Sequence, residues 1–372
     1  MPKALTSPLP LDGLFAIVKP SGPTSMSLLD RLKPLLAKSR LLVDQEDYQK
    51  TLAERERQNK RKNKPKRGRV NGVLVLGVNK GTKSLGQFLE CTKEYRTTAL
   101  LGCETDSYDS NGARVRTSPY AHLTREDVEK ILDRFRGEIQ QMPPIFSALK
   151  MDGKPLYEYA RENKPLPRPI EPRTCTVHEL VLERWIPAAR SPDDTEGHHY
   201  KFPENEISQE QRDSMKKIEE LVLKAEADAH PSEEQPAVTN ALRQATPPPA
   251  VTELDTPGPP AFVLQMVVSS GTYVRSIVHD IGMALGSAAH VVTLTRTRQG
   301  KYNLASAQGT ASVQPPVLSE VERPELMDGN CIKWEVFERA LALDDAKQET
   351  SKPEGEEWEE WEQAILQSWS ED

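Results

Sequence analysis

The stretch from Phe262 to Gly286 constrains the fold more than any other, because it joins a buried strand to an amphipathic helix. It opens with the nearly uninterrupted apolar run F-V-L-Q-M-V-V, which is typical of a strand covered on both faces. A polar break, S-S-G-T, follows, and Thr272 occupies the place of a helix N-cap. Apolar residues then recur at the spacing of one buried helix face, and Gly286 is a natural terminator. These apolar residues are Val274, Ile277, Val278, Ile281 and Leu285.

Arg275 lies in the first turn of this predicted helix, next to its buried face. A guanidinium is costly to hold there unless an anionic group meets it. Two interpretations stay open: a solvated or locally paired arginine, or an arginine that contributes to a site. Asp280 is a poor partner, because five residues along a helix bring it to a different face. The partner is therefore expected elsewhere in the chain or in a substrate.

Composition suggests that much of the chain lies outside a folded core. The length of 372 residues allows one large domain or two ordinary ones, but only 37% of the residues are hydrophobic and 30 are proline. The net charge is −7, yet residues 54–69 carry nine Lys and Arg against two Glu. Such a basic segment predicts contact with nucleic acid or a nuclear address, with a solvated loop as the alternative.

Several kinds of chemistry find no support in the sequence. The four cysteines form no C-x-x-C pair and no metal-ligand set with histidine, so we interpret them as reduced thiols of an intracellular protein. The run G-V-N-K-G-T-K-S at 77–84 lacks the spacing of a nucleotide-binding loop. No apolar run approaches the length of a membrane span. We expect no metal and no cofactor. The cysteines are Cys91, Cys103, Cys175 and Cys331.

Strands and helices are predicted in both halves of the chain, with a break between them. Residues 187–260 are rich in Pro, Glu, Ala, Ser and Thr, which predicts a largely disordered insertion within one domain. The predicted fold class is α+β, with a central mixed, mostly antiparallel sheet flanked by helices. The main domain is predicted at 10–312, interrupted at about 54–69 and about 187–260, and followed at 313–372 by an extension with an acidic, Trp-rich tail. Whether that tail docks or binds a partner stays open.

Six segments, in the same order along the chain, resemble the TruB-type pseudouridine synthases, and within them the eukaryotic enzymes that act on the tRNA T loop. They include F-A-I-V-K-P-S-G-P-T-S at 15–25, K-E-Y-R-T-T-A-L-L-G at 93–102 and S-S-G-T-Y-V-R-S-I at 269–277. The full segments are 15–25, 71–83, 93–112, 142–162, 269–282 and 289–298. The resemblance implies a pseudouridine synthase fold, and a catalytic domain that isomerises a uridine within RNA without a cofactor. It implies uridine 55 of the tRNA T arm as the target, with mRNA as a further substrate.

The resemblance also implies roles for individual residues. Tyr95 matches the family's stacking tyrosine, which receives a base that has left its stack. Arg275 matches the arginine that pairs with the catalytic aspartate, and Leu294 matches an apolar wall of the base pocket. We further expect a monomer in the nucleus, with the mitochondrion as a second compartment.

Four basic residues are expected to face RNA. Lys19 stands at the end of a predicted strand, and Lys150 matches the family's RNA-facing rim. Lys150, Lys154 and Arg161 belong with Tyr157 and Tyr159 to a basic and aromatic mixture suited to a polynucleotide backbone. Taken by itself, that mixture is weak evidence.

The sequence departs from the family at one place. Relatives carry a loop resembling G-G-T-L-D-P-L-A before the strand G-V-L-V-L-G, whereas here Gly68-Arg69-Val70-Asn71 runs directly into Gly72. The catalytic aspartate is therefore absent, and Arg275 is expected to be left partly buried and unpaired, at a cost of about 3–5 kcal/mol.

Other carboxylates do not obviously replace that aspartate. Asp106 and Asp109 are interpreted as turn-forming residues that match other family positions. We hypothesise that a short coding segment was lost between Val70 and Asn71. The alternatives are an RNA-binding or RNA-folding protein without the chemistry, and a nuclear scaffold that works through the basic segment and the tail.

Overall fold

The computed structural model describes residues 8–46, 67–68, 70–144, 147, 149–162, 166–168, 170–210, 258–304, 329–346 and 358–370. Most of the predicted basic segment, and the predicted insertion from 211 to 257, lie outside the described residues. The chain divides into two compact units, one of Met1–Lys93 with Thr295–Asp372 and the other of Glu94–Leu294.

Helices and strands alternate irregularly along the chain. The helices are α1 (Ser25–Ala37), α2 (Gln87–Glu90), α3 (Arg125–Leu132), α4 (Leu156–Arg161), α5 (Val274–Ala284), α6 (Trp334–Asp345) and α7 (Glu360–Ser368), with 3-10 turns at Asn79–Gly86 and Asp133–Phe135. The strands are β1 (Gly13–Lys19), β2 (Gly22–Pro23), β3 (Arg67–Gly68), β4 (Asn71–Val78), β5 (Lys93–Leu101), β6 (Cys103–Thr105), β7 (Arg114–Thr117), β8 (Gly137–Gln141), β9 (Lys150–Met151), β10 (Lys154–Pro155), β11 (Arg173–Ile186), β12 (Ala261–Val268), β13 (Ala289–Gln299) and β14 (Tyr302–Asn303).

The first unit is built around β1 and β4, whose apolar residues pair over their full length. β1 runs antiparallel to β4, from Gly13 opposite Val78 to Lys19 opposite Gly72. On its other side, the start of β4 pairs in parallel with the end of β13, where Arg296 lies opposite Gly72. Gly72 thus lies between Lys19 and Arg296 on neighbouring strands.

The C-terminal segment packs into the core of this same unit. Trp361 and Ile365 of α7 are buried with Phe337 of α6, against the apolar face of α1. The Trp369 ring stacks on Phe15 of β1 at 6.3 Å between centroids. This packing settles a question left open by the sequence, because these tryptophans dock on the chain itself.

The second unit contains the strand that opened the sequence analysis. β12 pairs antiparallel with β11, which pairs antiparallel with β8. The strand order continues from β12 to β5 and then to β13, whose first six residues belong to this unit. Together with the helices, this mixed and mostly antiparallel arrangement confirms the predicted α+β class.

Helix α5 follows β12 as predicted, but its first turn is capped differently. The N-cap is Tyr273 and not Thr272, whose hydroxyl donates to the Ser269 carbonyl at 3.0 Å. The Gln141 side chain of β8 binds the backbone at Tyr273 instead, accepting from its N–H at 2.7 Å and donating to its carbonyl at 2.9 Å. A buried amide from a distant strand replaces the local hydroxyl, so this part of the prediction was wrong. Gly286 has φ +69° and terminates the helix as expected.

Residues 187–210, which the sequence analysis assigned to the insertion, make defined contacts in the second unit. Ile207 and His198 are buried, and isolated bridges join Ala188 to His198 and Arg114 to Glu206. The His198 ring also bonds the Pro259 carbonyl through Nε2, at 2.9 Å. The outer limits predicted for the domains stay predictions.

Three further features bear on function. Within the described ranges, no helix combines the length and apolar character needed to cross a membrane. The same residues contain no group of three or more His, Cys, Asp or Glu side chains arranged to hold a metal ion. All four cysteines are free thiols, and burial raises the pKa of Cys103 to about 12.

Candidate functional site

Arg275 pairs with a carboxylate elsewhere in the chain, which is one of the two predicted alternatives, although sequence reasoning did not identify that carboxylate. Its side chain on α5 is 12% exposed. Nη1 forms an ion pair with Asp109 Oδ2 at 3.2 Å and donates to the Ser107 carbonyl. The expectation of an unpaired Arg275 was therefore wrong, because Asp109 supplies the anion.

Asp109 occupies the loop between β6 and β7, where backbone and side-chain bonds fix it. Its Oδ1 accepts from the Ser107 hydroxyl at 2.9 Å and from the Asn111 N–H at 3.1 Å. The Thr105 hydroxyl donates to the Asp109 carbonyl at 2.8 Å. This confirms the predicted turn-forming role, to which the structure adds the ion pair. The two partners are 166 residues apart, so no local pattern signals their contact.

Gly112 closes this loop because no side chain fits there. A Cβ on Gly112 would approach Asp106 Oδ1 to 2.3 Å and Ser107 Oγ to 2.4 Å. Asp106 Oδ1 in turn accepts from the Ala113 N–H at 3.0 Å. The run T-D-S-Y-D-S-N-G therefore forms a loop with many internal hydrogen bonds, and Ser107 and Asp109 of this loop bind Arg275.

A second group of charges lies one helical turn beyond Arg275. His279 Nε2 contacts Glu104 Oε1 at 3.3 Å, and its Nδ1 contacts Asp280 Oδ1 at 3.0 Å. Glu104 also accepts from Arg116 Nε at 2.6 Å. Sequence reasoning missed this cluster, because a single histidine within a helix gives no local pattern that predicts its partners.

The protonation of this cluster follows from its contacts. Burial acts to lower the pKa of His279, but hydrogen bonds to Asp280 and Glu104, and their charges, raise it to about 10. Burial acts to raise the pKa of Glu104, but the bond and charge of His279, together with Arg116, lower it to about 2. Both groups are therefore charged at neutral pH.

The other predicted pocket residues lie on neighbouring strands of the same unit. Leu294 of β13 is buried, and Tyr95 of β5 is partly buried. β5 is adjacent to β13 in the sheet. Asp109 forms a bridge with Val291 of β13, three residues before Leu294. The loop that pairs with Arg275 thus rests on the strand that carries Leu294, next to the strand that carries Tyr95.

Lys19 is buried in the first unit and does not lie on an exposed rim. Only 5% of the residue is exposed, and its Nζ donates to the Pro20 carbonyl at 3.0 Å. Burial lowers its pKa, and the charge of Arg296 lowers it further. In the part of the chain that the structure describes, no carboxylate forms an ion pair with it.

The three remaining basic residues differ in how much of their charge is available. Lys150 on β9 is exposed. Lys154 pairs with Glu162 at 2.7 Å and lies over the Tyr159 ring at 4.7 Å, so its charge is already compensated within the chain. Arg161 is the last residue of α4, and its side chain lies outside the described part. RNA contact by these residues stays a prediction.

Comparisons with known proteins identify the family of this chain. Residues 68–192 match the TruB family pseudouridylate synthase N-terminal domain, and residues 275–320 match the tRNA pseudouridylate synthase B C-terminal domain. The tRNA pseudouridine synthase 4 of Schizosaccharomyces pombe is 37% identical, covering 78% of this chain and 79% of that protein. The Saccharomyces cerevisiae enzyme of the same name is 34% identical, covering 79% and 78%. Mouse pseudouridylate synthase TRUB1 is 32% identical, covering 79% and 65%. The resemblance is thereby confirmed, and the chain belongs to the TruB family of pseudouridine synthases.

Proposed function

We propose that this protein binds the T arm of tRNA and converts uridine 55 to pseudouridine, with mRNA as a further substrate. Family membership supports the reaction class, and the names of the two yeast relatives support tRNA as the substrate. The observation that carries the proposal is the buried Arg275–Asp109 pair, whose loop rests on the strand of Leu294 beside the strand of Tyr95.

The proposed roles follow from what the target uridine must do. It must leave its stack to be reached, at a cost of a few kcal/mol, and an aromatic ring can receive it. We assign that ring to Tyr95, and the apolar wall beside it to Leu294. Arg275, held at fixed distance by Asp109, offers a guanidinium that can orient a carboxylate or a phosphate. The isomerisation has no redox change, so the proposal needs no cofactor.

The carboxylate that acts on the ribose or base is the missing part of this site. The stretch from Gly68 to Gly72 contains no aspartate, and Asp109 is already bonded to Arg275. We therefore propose that a short coding segment is missing between Val70 and Asn71. Sequencing the transcript across that junction tests the idea, and abundant message with an uninterrupted sequence identical to this one would rule it out.

A second candidate function is RNA binding or RNA folding without the chemistry. The specific observation in its favour is that Asp109 pairs with Arg275 even though the family's loop is absent. The second unit therefore holds the Arg275 side chain in place without that loop. Base-resolved pseudouridine mapping on T-arm RNA separates the two functions. Binding with no conversion favours the second candidate, whereas conversion by this chain contradicts the claim of a missing residue. RNA with cytidine at the target position serves as the control.

The nuclear scaffold remains as a third proposal, and it makes the opposite prediction about the site. It requires that deletion of residues 55–69 abolish activity while Tyr95→Ala does not. Packing of the C-terminal tryptophans within the first unit leaves the basic segment to carry that function.

Location and assembly are proposals on the same footing. The basic segment 54–69 supports a nuclear address, with the mitochondrion as a second compartment. Fluorescent fusions with and without residues 54–69 test the address, and unchanged localisation after the deletion would contradict it. We propose a monomer, which light scattering with and without T-arm RNA checks.

A further inference from the structure

Tyr108 lies between two groups that accept from Arg275. The Ser107 carbonyl precedes it and the Asp109 carboxylate follows it, and both bind Nη1 of the same guanidinium. The backbone of Tyr108 therefore sets the spacing of the two acceptors. Its φ is +59°, a left-handed conformation that a residue with a bulky side chain rarely adopts. Contacts elsewhere must hold Tyr108 in this conformation.

The His279 ring supplies such a contact. His279 follows Arg275 by four residues on α5, so the two side chains leave the same face of the helix. The Tyr108 and His279 rings stack with centroids 4.0 Å apart and an interplanar angle of 22°. A charged imidazole over an aromatic face gains both stacking and cation–π attraction.

The His279 ring is itself fixed in position. Glu104 and Asp280 bind its two nitrogens, and Arg116 binds the far oxygen of Glu104. Arg116 is held in turn by the Ser118 hydroxyl at 2.7 Å. A continuous set of contacts therefore runs from β7 through His279 to the loop that meets Arg275.

We propose that His279 is a positioning residue, which through its stack on Tyr108 holds Ser107 and Asp109 at the distance that orients the Arg275 guanidinium. The inference rests on the proposed function for its consequence in catalysis, because Arg275 matters there as a member of the site. It adds a role for His279 that the segment resemblance did not assign.

The direct test reads the Arg275 guanidinium by NMR in the full chain. Its side-chain N–H signals are identified by their loss in Arg275→Lys. In His279→Gln and in Tyr108→Leu, we expect these signals to broaden and their hydrogen exchange to accelerate by about tenfold or more, because the two acceptors lose their fixed spacing. His178→Gln instead removes an exposed histidine, so its Arg275 signals should match those of the parent chain.

The outcomes distinguish this inference from the proposed function. Thermal unfolding selects the variants that fold, and if His279→Gln does not fold, Tyr108→Leu decides. Arg275 signals that are unchanged in a folded test variant overturn the positioning role. Where the parent converts T-arm RNA, we expect kcat to fall about tenfold in both test variants with KM unchanged. A parent that converts no RNA counts against the proposed function alone, since the Arg275 signals still decide the role of His279.

Discussion

Two largely buried cations, one in each unit, differ in whether a carboxylate of the described residues pairs with them. Arg275 in the second unit meets a carboxylate that is only 5% exposed, together with a carbonyl. Lys19 in the first unit is also only 5% exposed, yet its ammonium donates to one carbonyl and is repelled by the charge of Arg296. The second unit therefore balances its buried charge within the described residues, and the first does not.

The buried cations of the first unit lie near the point where the sequence departs from the family. The sequence suggested that the missing aspartate would leave Arg275 unpaired, but Asp109 pairs with it. Lys19 and Arg296, which form no ion pair with a carboxylate among the described residues, flank Gly72, directly after the stretch where relatives carry the aspartate loop. Lys93 is the second buried cation among the described residues of this unit, and its Nζ donates to the carbonyls of Leu89 and Cys91. Among the described residues, the buried cations without a carboxylate partner are therefore Lys19 and Lys93 of the first unit.

Removing Asp109, the carboxylate that pairs with Arg275, should have the largest effect on stability. Asp109→Ala removes the carboxylate from an arginine side chain that is 12% exposed, and we expect a loss of about 3–5 kcal/mol in the free energy of unfolding. Urea denaturation of the full chain measures it. The control is Arg96→Ala, which breaks an ion pair whose side chains are 44% and 24% exposed and should cost at most about 1 kcal/mol. Equal losses in both variants would end the contrast between buried and exposed pairs.

The first unit should instead depend on apolar packing, including the docked C-terminal helix. Ile365 is fully buried, so Ile365→Ala is expected to lose about 2–5 kcal/mol through lost burial and a residual cavity. Gln367→Ala, on the exposed side of the same helix, should change stability by no more than about 0.5 kcal/mol. Unfolding measured by tryptophan fluorescence compares the two. A tolerant Ile365 would show that the tail is not part of the core.

The ion pair of His279 with Glu104 in the second unit should make stability depend on pH. The pKa of His279 is raised from 6.5 to about 10, so its contribution is complete below pH 6.5 and is lost as the pH rises through about 10. The pKa of Glu104 is lowered from 4.5 to about 2, so its contribution is complete above pH 4.5 and is lost as the pH falls towards 2. Thermal unfolding across pH 3 to 10 should show both declines. His279→Gln should remove most of the alkaline decline, whereas His178→Gln should leave it in place.

Removing the Lys19 ammonium should have the smallest effect on the free energy of unfolding, and we expect no loss or a gain in stability. Lys19→Met replaces an ammonium that has no carboxylate partner among the described residues by an apolar chain of similar length, and we expect stability to stay within about 1 kcal/mol or to rise. The same urea experiment applies. A loss above about 3 kcal/mol would mean that an anion compensates Lys19 in the folded chain, and the contrast between the units would fail.

The sequence by itself determined the elements whose signals are local. The apolar run before Ser269 and the helical spacing after Thr272 predicted β12 and α5, and Gly286 ends the helix as its lack of a side chain allows. Ordered segments were enough to recognise the family, because each is a contiguous run of residues. Local patterns carry this information because strand and helix periodicities depend on neighbours only a few residues apart.

Only the tertiary structure decided which distant groups meet. Gln141 and not Thr272 binds the start of α5, Asp109 pairs with Arg275 from 166 residues away, and His279 stacks on Tyr108. The tryptophans of the tail pack on the strand that begins the first unit. Such pairings depend on how strands and helices assemble, and a buried charge takes whichever partner that assembly brings within bonding distance.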